Sequence, residues 1–172
     1  KANGGGDEEL LEGPRTYNGV EYTGFLRGGY YFGRDLNGDG LPEIVLASDF
    51  GLSDSRAGGP LTMLVRTDDL REPWTSHAIG AVPTAHRLYW ADLDGSPPSE
   101  LLVAPILGPG AAAPAYDQGG VPLVVYTPPE DPLGAWSRFL VDDSLHVVHA
   151  VEVIDFDGDG HDEILAASYE GV

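Results

Sequence analysis

Apolar positions in this chain come in short runs divided by glycine, proline and acidic residues, as in Ile44-Val-Leu-Ala47, Leu61 to Val65, Leu101 to Ala104, Leu123 to Tyr126 and Ile164 to Ala167. Each run is rich in Val, Ile, Leu or Tyr and is closed by turn-forming residues, which is the signature of a strand and not of a helix. The pattern predicts many short strands joined by tight turns, and almost no helix.

The runs belong to a repeat. Asp35-Leu-Asn-Gly-Asp-Gly-Leu-Pro-Glu43-Ile-Val-Leu-Ala-Ser, Asp92-Leu-Asp-Gly-Ser-Pro-Pro-Ser-Glu100-Leu-Leu-Val-Ala-Pro and Asp155-Phe-Asp-Gly-Asp-Gly-His-Asp-Glu163-Ile-Leu-Ala-Ala-Ser align without a gap. Beyond the first two, Pro60 and Pro122 each precede an apolar run, and a tryptophan stands 14 residues further on, Trp74 and Trp136. Each unit reads as strand, acidic loop, strand, longer loop, strand, turn, strand, with first aspartates 57 and 63 residues apart. Four antiparallel strands per unit make a propeller blade. The expected fold is therefore all-β, a partial β-propeller of about two and a half four-stranded blades. Blades are expected near 27–80, 84–142 and 146–172, the last incomplete, within a propeller segment 17–172 behind a flexible acidic, glycine-rich leader over 1–16. An open stack leaves sheet edges and faces unpaired, so the remaining blades are expected from further sequence or from another chain.

Composition narrows the partners. With 9 basic and 28 acidic residues the net charge is −19, which repels phosphate backbones and anionic surfaces and excludes nucleic acid as a partner. No apolar run reaches the roughly 20 residues of a membrane-spanning helix. Cysteine is absent, so disulfides, thiolate metal sites and thiol nucleophiles are excluded. No Gly-x-Ser-x-Gly elbow, P-loop or dinucleotide fingerprint occurs.

The carboxylates are not spread evenly but fall at alternate positions of the loops. A hard cation such as calcium takes six to eight oxygens, and a tight turn of short acidic side chains with one inward carbonyl supplies them. In the first loop the expected ligands are Asp35, Asn37, Asp39, the carbonyl of Leu41 and Glu43; in the third, Asp155, Asp157, Asp159, the carbonyl of His161 and Glu163. The second loop keeps Asp92, Asp94 and Glu100 but has Ser96 and Pro97 in place of Asp and Gly, and is expected to be weak or empty. An EF-hand needs a bidentate Glu at its twelfth position, where Leu46 and Ala166 stand. The competing account is that Asx-rich turns bond their own backbone without a metal.

The recurring Asp-x-Asp-Gly-Asp-Gly-x-x-Glu-Ile pattern at blade spacing resembles the FG-GAP/VCBS repeats of integrin α-subunit propellers and of many secreted proteins. That resemblance implies calcium in the loops and a role in adhesion or carbohydrate recognition, and with it an extracellular or periplasmic location.

Two histidines, His86 and His149, stand six residues before the first aspartate of their loops. Equivalent sites on adjacent blades can share a substrate or a second divalent metal; packing between blades is the alternative. His146, three residues before His149, joins them only through a bulge. The stretch Asp142-Asp-Ser-Leu-His146-Val-Val-His149, the loop after it and Tyr169-Glu-Gly-Val172 resemble the propeller domain of aldos-2-ulose dehydratases. These are lyases that remove water from keto-sugars such as 1,5-anhydrofructose, with metal ions and a histidine base. The resemblance implies His149 or His146 as base, helped by Glu152 or a metal. Trp74, Trp136 and Trp90 read as packing residues or sugar platforms, and the Ala-, Gly- and Pro-rich segment 108–120 as a loop insertion.

The sequence thus points to a calcium-binding, secreted propeller that recognises a carbohydrate or protein surface. The alternatives are a keto-sugar dehydratase and a structural subunit of a larger assembly. What separates the first two is whether the histidines converge and remain reachable.

Overall fold

A computed structural model describes residues 15–17, 20–22, 31–49, 54–67, 69 and 71–172. Most of the expected leader and the start of the first expected blade lie outside them. All regular elements among the described residues are strands, and no helix there is long and apolar enough to cross a membrane.

Strands β1 (Arg15–Tyr17) and β2 (Val20–Tyr22) form an antiparallel hairpin. Then follow β3 (Tyr31–Arg34), β4 (Glu43–Ala47), β5 (Pro60–Val65) and β6 (Thr75–Ala81), paired antiparallel in chain order as the first four-stranded sheet. The second sheet repeats the plan with β7 (Ala85–Ala91), β8 (Glu100–Pro105), β9 (Leu123–Thr127) and β10 (Ser137–Asp142). Strands β11 (Ala150–Ile154) and β12 (Glu163–Ala167) pair as a third, two-stranded sheet. Meandering sheets of this plan, packed face to face, make the fold a partial β-propeller.

Burial follows from the two-residue period of a strand. Along β4, Glu43, Val45 and Ala47 point to the buried side. In β8 every residue is buried, because this middle strand has a sheet on each face. Leu101 and Val103 join Val45, Leu61 and Met63 of the first sheet in one apolar cluster. The alternate residues Leu102 and Ala104 join Val148 and Val151 of the third unit in a second cluster. Full burial of each such leucine is worth about 1.5–3 kcal/mol. The outer strand β10 is mostly exposed, as expected of a blade rim.

The hinge into the inner strand recurs in the second and third units. Thr84 and Val147 occupy the same repeat position and both have positive φ, 56° and 50°. Thr84 is fully buried, and its hydroxyl donates to the carbonyl of Leu107 at 2.9 Å. Gly59, at φ +70°, passes so close to the Val82 carbonyl that no Cβ fits, and its own carbonyl accepts from the Val82 N–H at 2.8 Å.

The far face of the third, two-stranded sheet is open, with Leu165 half exposed. A shallow recess lined by Ala150, Val151, Glu152, Leu165, Ala167 and Val172 lies there.

Candidate functional site

The first and third acidic loops have the same internal wiring. Asp35 accepts the N–H groups of Gly38 (2.7 Å) and Gly40 (2.9 Å) on its two oxygens, and Asp155 accepts those of Gly158 (2.7 Å) and Gly160 (3.1 Å). Asn37 and Asp157 accept from the N–H two residues on, as do Asp39 and Asp159. The first glutamate of the following strand ties the loop shut: Glu43 accepts the Leu36 N–H at 2.8 Å, Glu163 that of Phe156 at 2.7 Å, and Glu100 that of Leu93 at 3.0 Å.

Each of these turns thus bonds its own backbone, and carboxylate capacity is still left over. Glu43 is 1% exposed and its Oε1 is buried with no hydrogen-bond partner. A buried acceptor left unpaired costs about 1–3 kcal/mol, and a cation would satisfy it. Ligand oxygens of Asp155, Asp157 and Asp159 all lie within 4.8 Å of one another.

The second loop, the degenerate one by sequence, also gathers Asp92, Asp94 and Glu100 within 4.8 Å. Pro97 replaces the glycine whose N–H binds the first aspartate in the sister loops, and proline has no N–H to give. Asp92 Oδ1 is buried without a hydrogen-bond partner. Asp94 is held below the usual carboxylate range by the hydroxyl of Ser96 at 2.6 Å and then by its N–H at 2.9 Å, with a smaller contribution from His161.

Loops two and three are clamped together. The N–H of Asp92 donates to Asp162 Oδ2 at 2.8 Å, and the N–H of Asp162 donates to the carbonyl of Asp92 at 2.7 Å. The His161 ring lies so close over Gly95 that a Cβ there would sit 2.7 Å from its Cε1.

The histidines divide into two arrangements. His86, at the register shift between Ala85 and Arg87, brings its ring to 6.1 Å from that of His149, centroid to centroid, with the planes inclined by 36°. His146 does not join them in any ring contact; it pairs with Glu170. Its Nδ1 lies 2.7 Å from Glu170 Oε1, and its backbone N–H donates to Glu170 Oε2 at 3.0 Å. The Ser168 hydroxyl donates to the same Oε2 at 2.8 Å. These bonds, the His146 N–H foremost, lower the Glu170 pKa to about 2. The side chains of His146 and Glu170 are 29% and 45% exposed, within reach of a solute.

Backbone bonds position this group. The N–H of His149 donates to the carbonyl of Ala167 at 3.0 Å, and that of Tyr169 to the carbonyl of His146 at 2.9 Å. The 146–149 segment therefore runs beside 167–170, prolonging the β11–β12 pairing with a bend at Val147. Glu170 is the residue that sequence reasoning did not assign, although it stands within the quoted Tyr169-Glu-Gly-Val172 stretch; it lies 24 residues from His146, too far for any local pattern. The charge of Glu152, the expected helper, helps raise the pKa of Tyr89, after burial and against the opposing pull of Arg87.

Trp90 lies 6.1 Å from Trp136, centroid to centroid, and the Arg34 guanidinium sits 5.9 Å over the Trp90 ring. Both tryptophans pack on the first apolar cluster.

Residues 58–172, the larger part of the chain, match the model of the aldos-2-ulose dehydratase β-propeller domain. The chain belongs to that family. Aldos-2-ulose dehydratase of Phanerodontia chrysosporium is 28% identical over 147 residues, which are 80% of this chain and 16% of that relative. The chain thus spans about a sixth of its relative's length. Within the dehydratase propeller match fall His86, His146, His149, Glu170 and the second and third acidic loops, whereas the loop at 35–43 precedes it.

Proposed function

We propose that this chain is the keto-sugar-binding and water-eliminating part of a lyase, with a histidine of the 146–149 segment as its base. The family match carries this reading, because it covers the segment that holds the exposed histidines and their carboxylate partner. His146 and His149 are reachable from solvent, and an imidazole has the near-neutral basicity that abstraction beside a carbonyl requires.

The reaction balances without an oxidant. The imidazole takes the proton from the carbon next to the ketone, and the C–H electron pair becomes the new C=C bond. The hydroxyl on the following carbon leaves with its bonding pair and recovers the proton from the imidazolium, departing as water. Redox state is unchanged, and the base returns to its neutral form.

The same reading assigns calcium to the loops at 35–43 and 155–163, where Asp35, Asn37, Asp39 and Glu43, and Asp155, Asp157, Asp159 and Glu163 would hold it with the carbonyls of Leu41 and His161. The buried, unpaired Glu43 oxygen and the convergence of Asp155, Asp157 and Asp159 support it. A bound calcium would neutralise the clustered carboxylates and stiffen the blade turns.

The test is to mix the folded, calcium-loaded protein with a 2-keto-sugar bearing a hydroxyl β to the carbonyl, and to follow the ultraviolet absorbance of the conjugated enone. Its growth in proportion to protein supports the lyase. Sugar binding by calorimetry without enone would replace that reading with a recognition module.

A further inference from the structure

Resting on the lyase reading, we infer that Glu170 is a positioning residue: it holds His146 as the Nδ1–H tautomer and so presents Nε2 as the proton-accepting atom. Three features of the geometry lead there. The first is the order of the group, Ser168 to Glu170 to His146. The serine hydroxyl bonds the carboxylate and not the imidazole, and so acts as a strut for Glu170.

The second is the protonation that the contact demands. An ionised carboxylate only accepts hydrogen bonds, and Glu170, with a pKa of about 2, is ionised throughout the physiological range. The 2.7 Å contact at Nδ1 therefore requires the proton on Nδ1, and neutral His146 then carries its lone pair on Nε2. A carboxylate fixing the tautomer of a base in this way is the second half of many histidine catalysts.

The third is the fixation of Glu170 itself. Its Oε2 is held by two donors, the His146 N–H and the Ser168 hydroxyl, while Oε1 meets the ring. The His146 backbone and ring are thus locked to the same carboxylate, and the bend at Val147, φ 50°, separates this pair from His149. Among the described residues the His149 ring is placed against His86 and has no carboxylate partner. This makes His146, not His149, the oriented base.

Long-range proton–nitrogen NMR of the imidazoles reads the tautomer directly, with or without turnover. In the wild-type protein His146 is expected as Nδ1–H; in Glu170→Ala it shifts to a mixture dominated by Nε2–H. With enone formation as the assay, Glu170→Ala is expected to lower kcat by about 10–100-fold, the scale of loss when the carboxylate that orients a metal-bound histidine is removed, with KM nearly constant and an altered pH profile. Glu170→Gln, which keeps an acceptor oxygen, is expected to recover part of that loss, and its amide spectrum verifies the fold if the alanine variant unfolds. An Nε2–H tautomer in the wild type overturns the inference, as does an unchanged kcat and pH profile in both variants of an active enzyme. The expected tautomer with no turnover by the wild type overturns the lyase reading instead and leaves the Glu170 lock standing.

Discussion

Leu102 and Leu165 occupy the same position in successive units, two residues after Glu100 and Glu163, yet Leu102 is fully buried and Leu165 is 50% exposed. The counterpart in the first unit, Val45, is buried too. The position therefore belongs to the face that packs on the next blade, and the third sheet displays that face uncovered.

Leu102→Ala is accordingly expected to cost about 2–5 kcal/mol, the range for emptying a packed leucine site. Leu165→Ala should cost under about 1 kcal/mol, because little buried volume is lost. Urea unfolding of the two variants beside the wild type measures both, and similar losses would contradict the assignment of the faces.

On the calcium sites proposed above, removing the ion is expected to destabilise the protein. A ligand that binds only the folded state adds about 2.7 kcal/mol at 100 times its dissociation constant, so a chelator should lower the melting temperature and calcium should restore it. Glu43→Gln is expected to weaken the calcium response of the first loop, since it replaces a buried carboxylate oxygen with a neutral amide. Melting curves with and without calcium, compared between wild type and variant, check this.

Gly59 and Gly38 share a left-handed backbone, φ +70° and +77°, but differ in space: a Cβ on Gly59 collides with the Val82 carbonyl, whereas one on Gly38 meets nothing within 4 Å. Gly38→Ala should cost about 1–2 kcal/mol, the conformational term alone. Gly59→Ala adds a backbone displacement at the blade junction and should be the more damaging by a clear margin. Thermal unfolding ranks them.

Glu170 supplies a pH signature. Its folded pKa of about 2 lies below the ordinary value of 4.5, so its stabilising contribution is complete above about pH 4.5 and is lost as pH falls through about 2. A carbon-detected titration of the side-chain carboxyl should show a midpoint near 2 in the wild type, and Ser168→Ala should raise it by removing one donor. A wild-type midpoint near the ordinary value would show that the His146 contact does not persist in solution.

The repeat, the all-strand character and the alignment of Asp35, Asp92 and Asp155 were legible in one dimension, because each depends on residues a few positions apart. A strand is signalled by its apolar run, and an acidic turn by short side chains at alternate positions. The pairing order within each sheet followed from the repeat, since strands consecutive in a unit pair with their neighbours even across the longer loop between the second and third.

The site was legible only in part. His86 and His149 were found by their common offset from the loops, and their ring contact follows from adjacent inner strands. The partner of His146 was not. Glu170 reaches it across a bend at Val147, a β-branched residue at positive φ that no local propensity favours; the backbone bonds of His149 to Ala167 and of Tyr169 to His146 flank it. In the second loop the kept carboxylates Asp92, Asp94 and Glu100 could be read from their spacing; what could not is the clamp from Asp162 of the next unit, 70 positions away. Sequence by itself determined what is periodic and local in this protein. Which side chains meet across blades, and which face stays open, was decided by tertiary packing, because those contacts join residues tens of positions apart and only the assembled sheets bring them together.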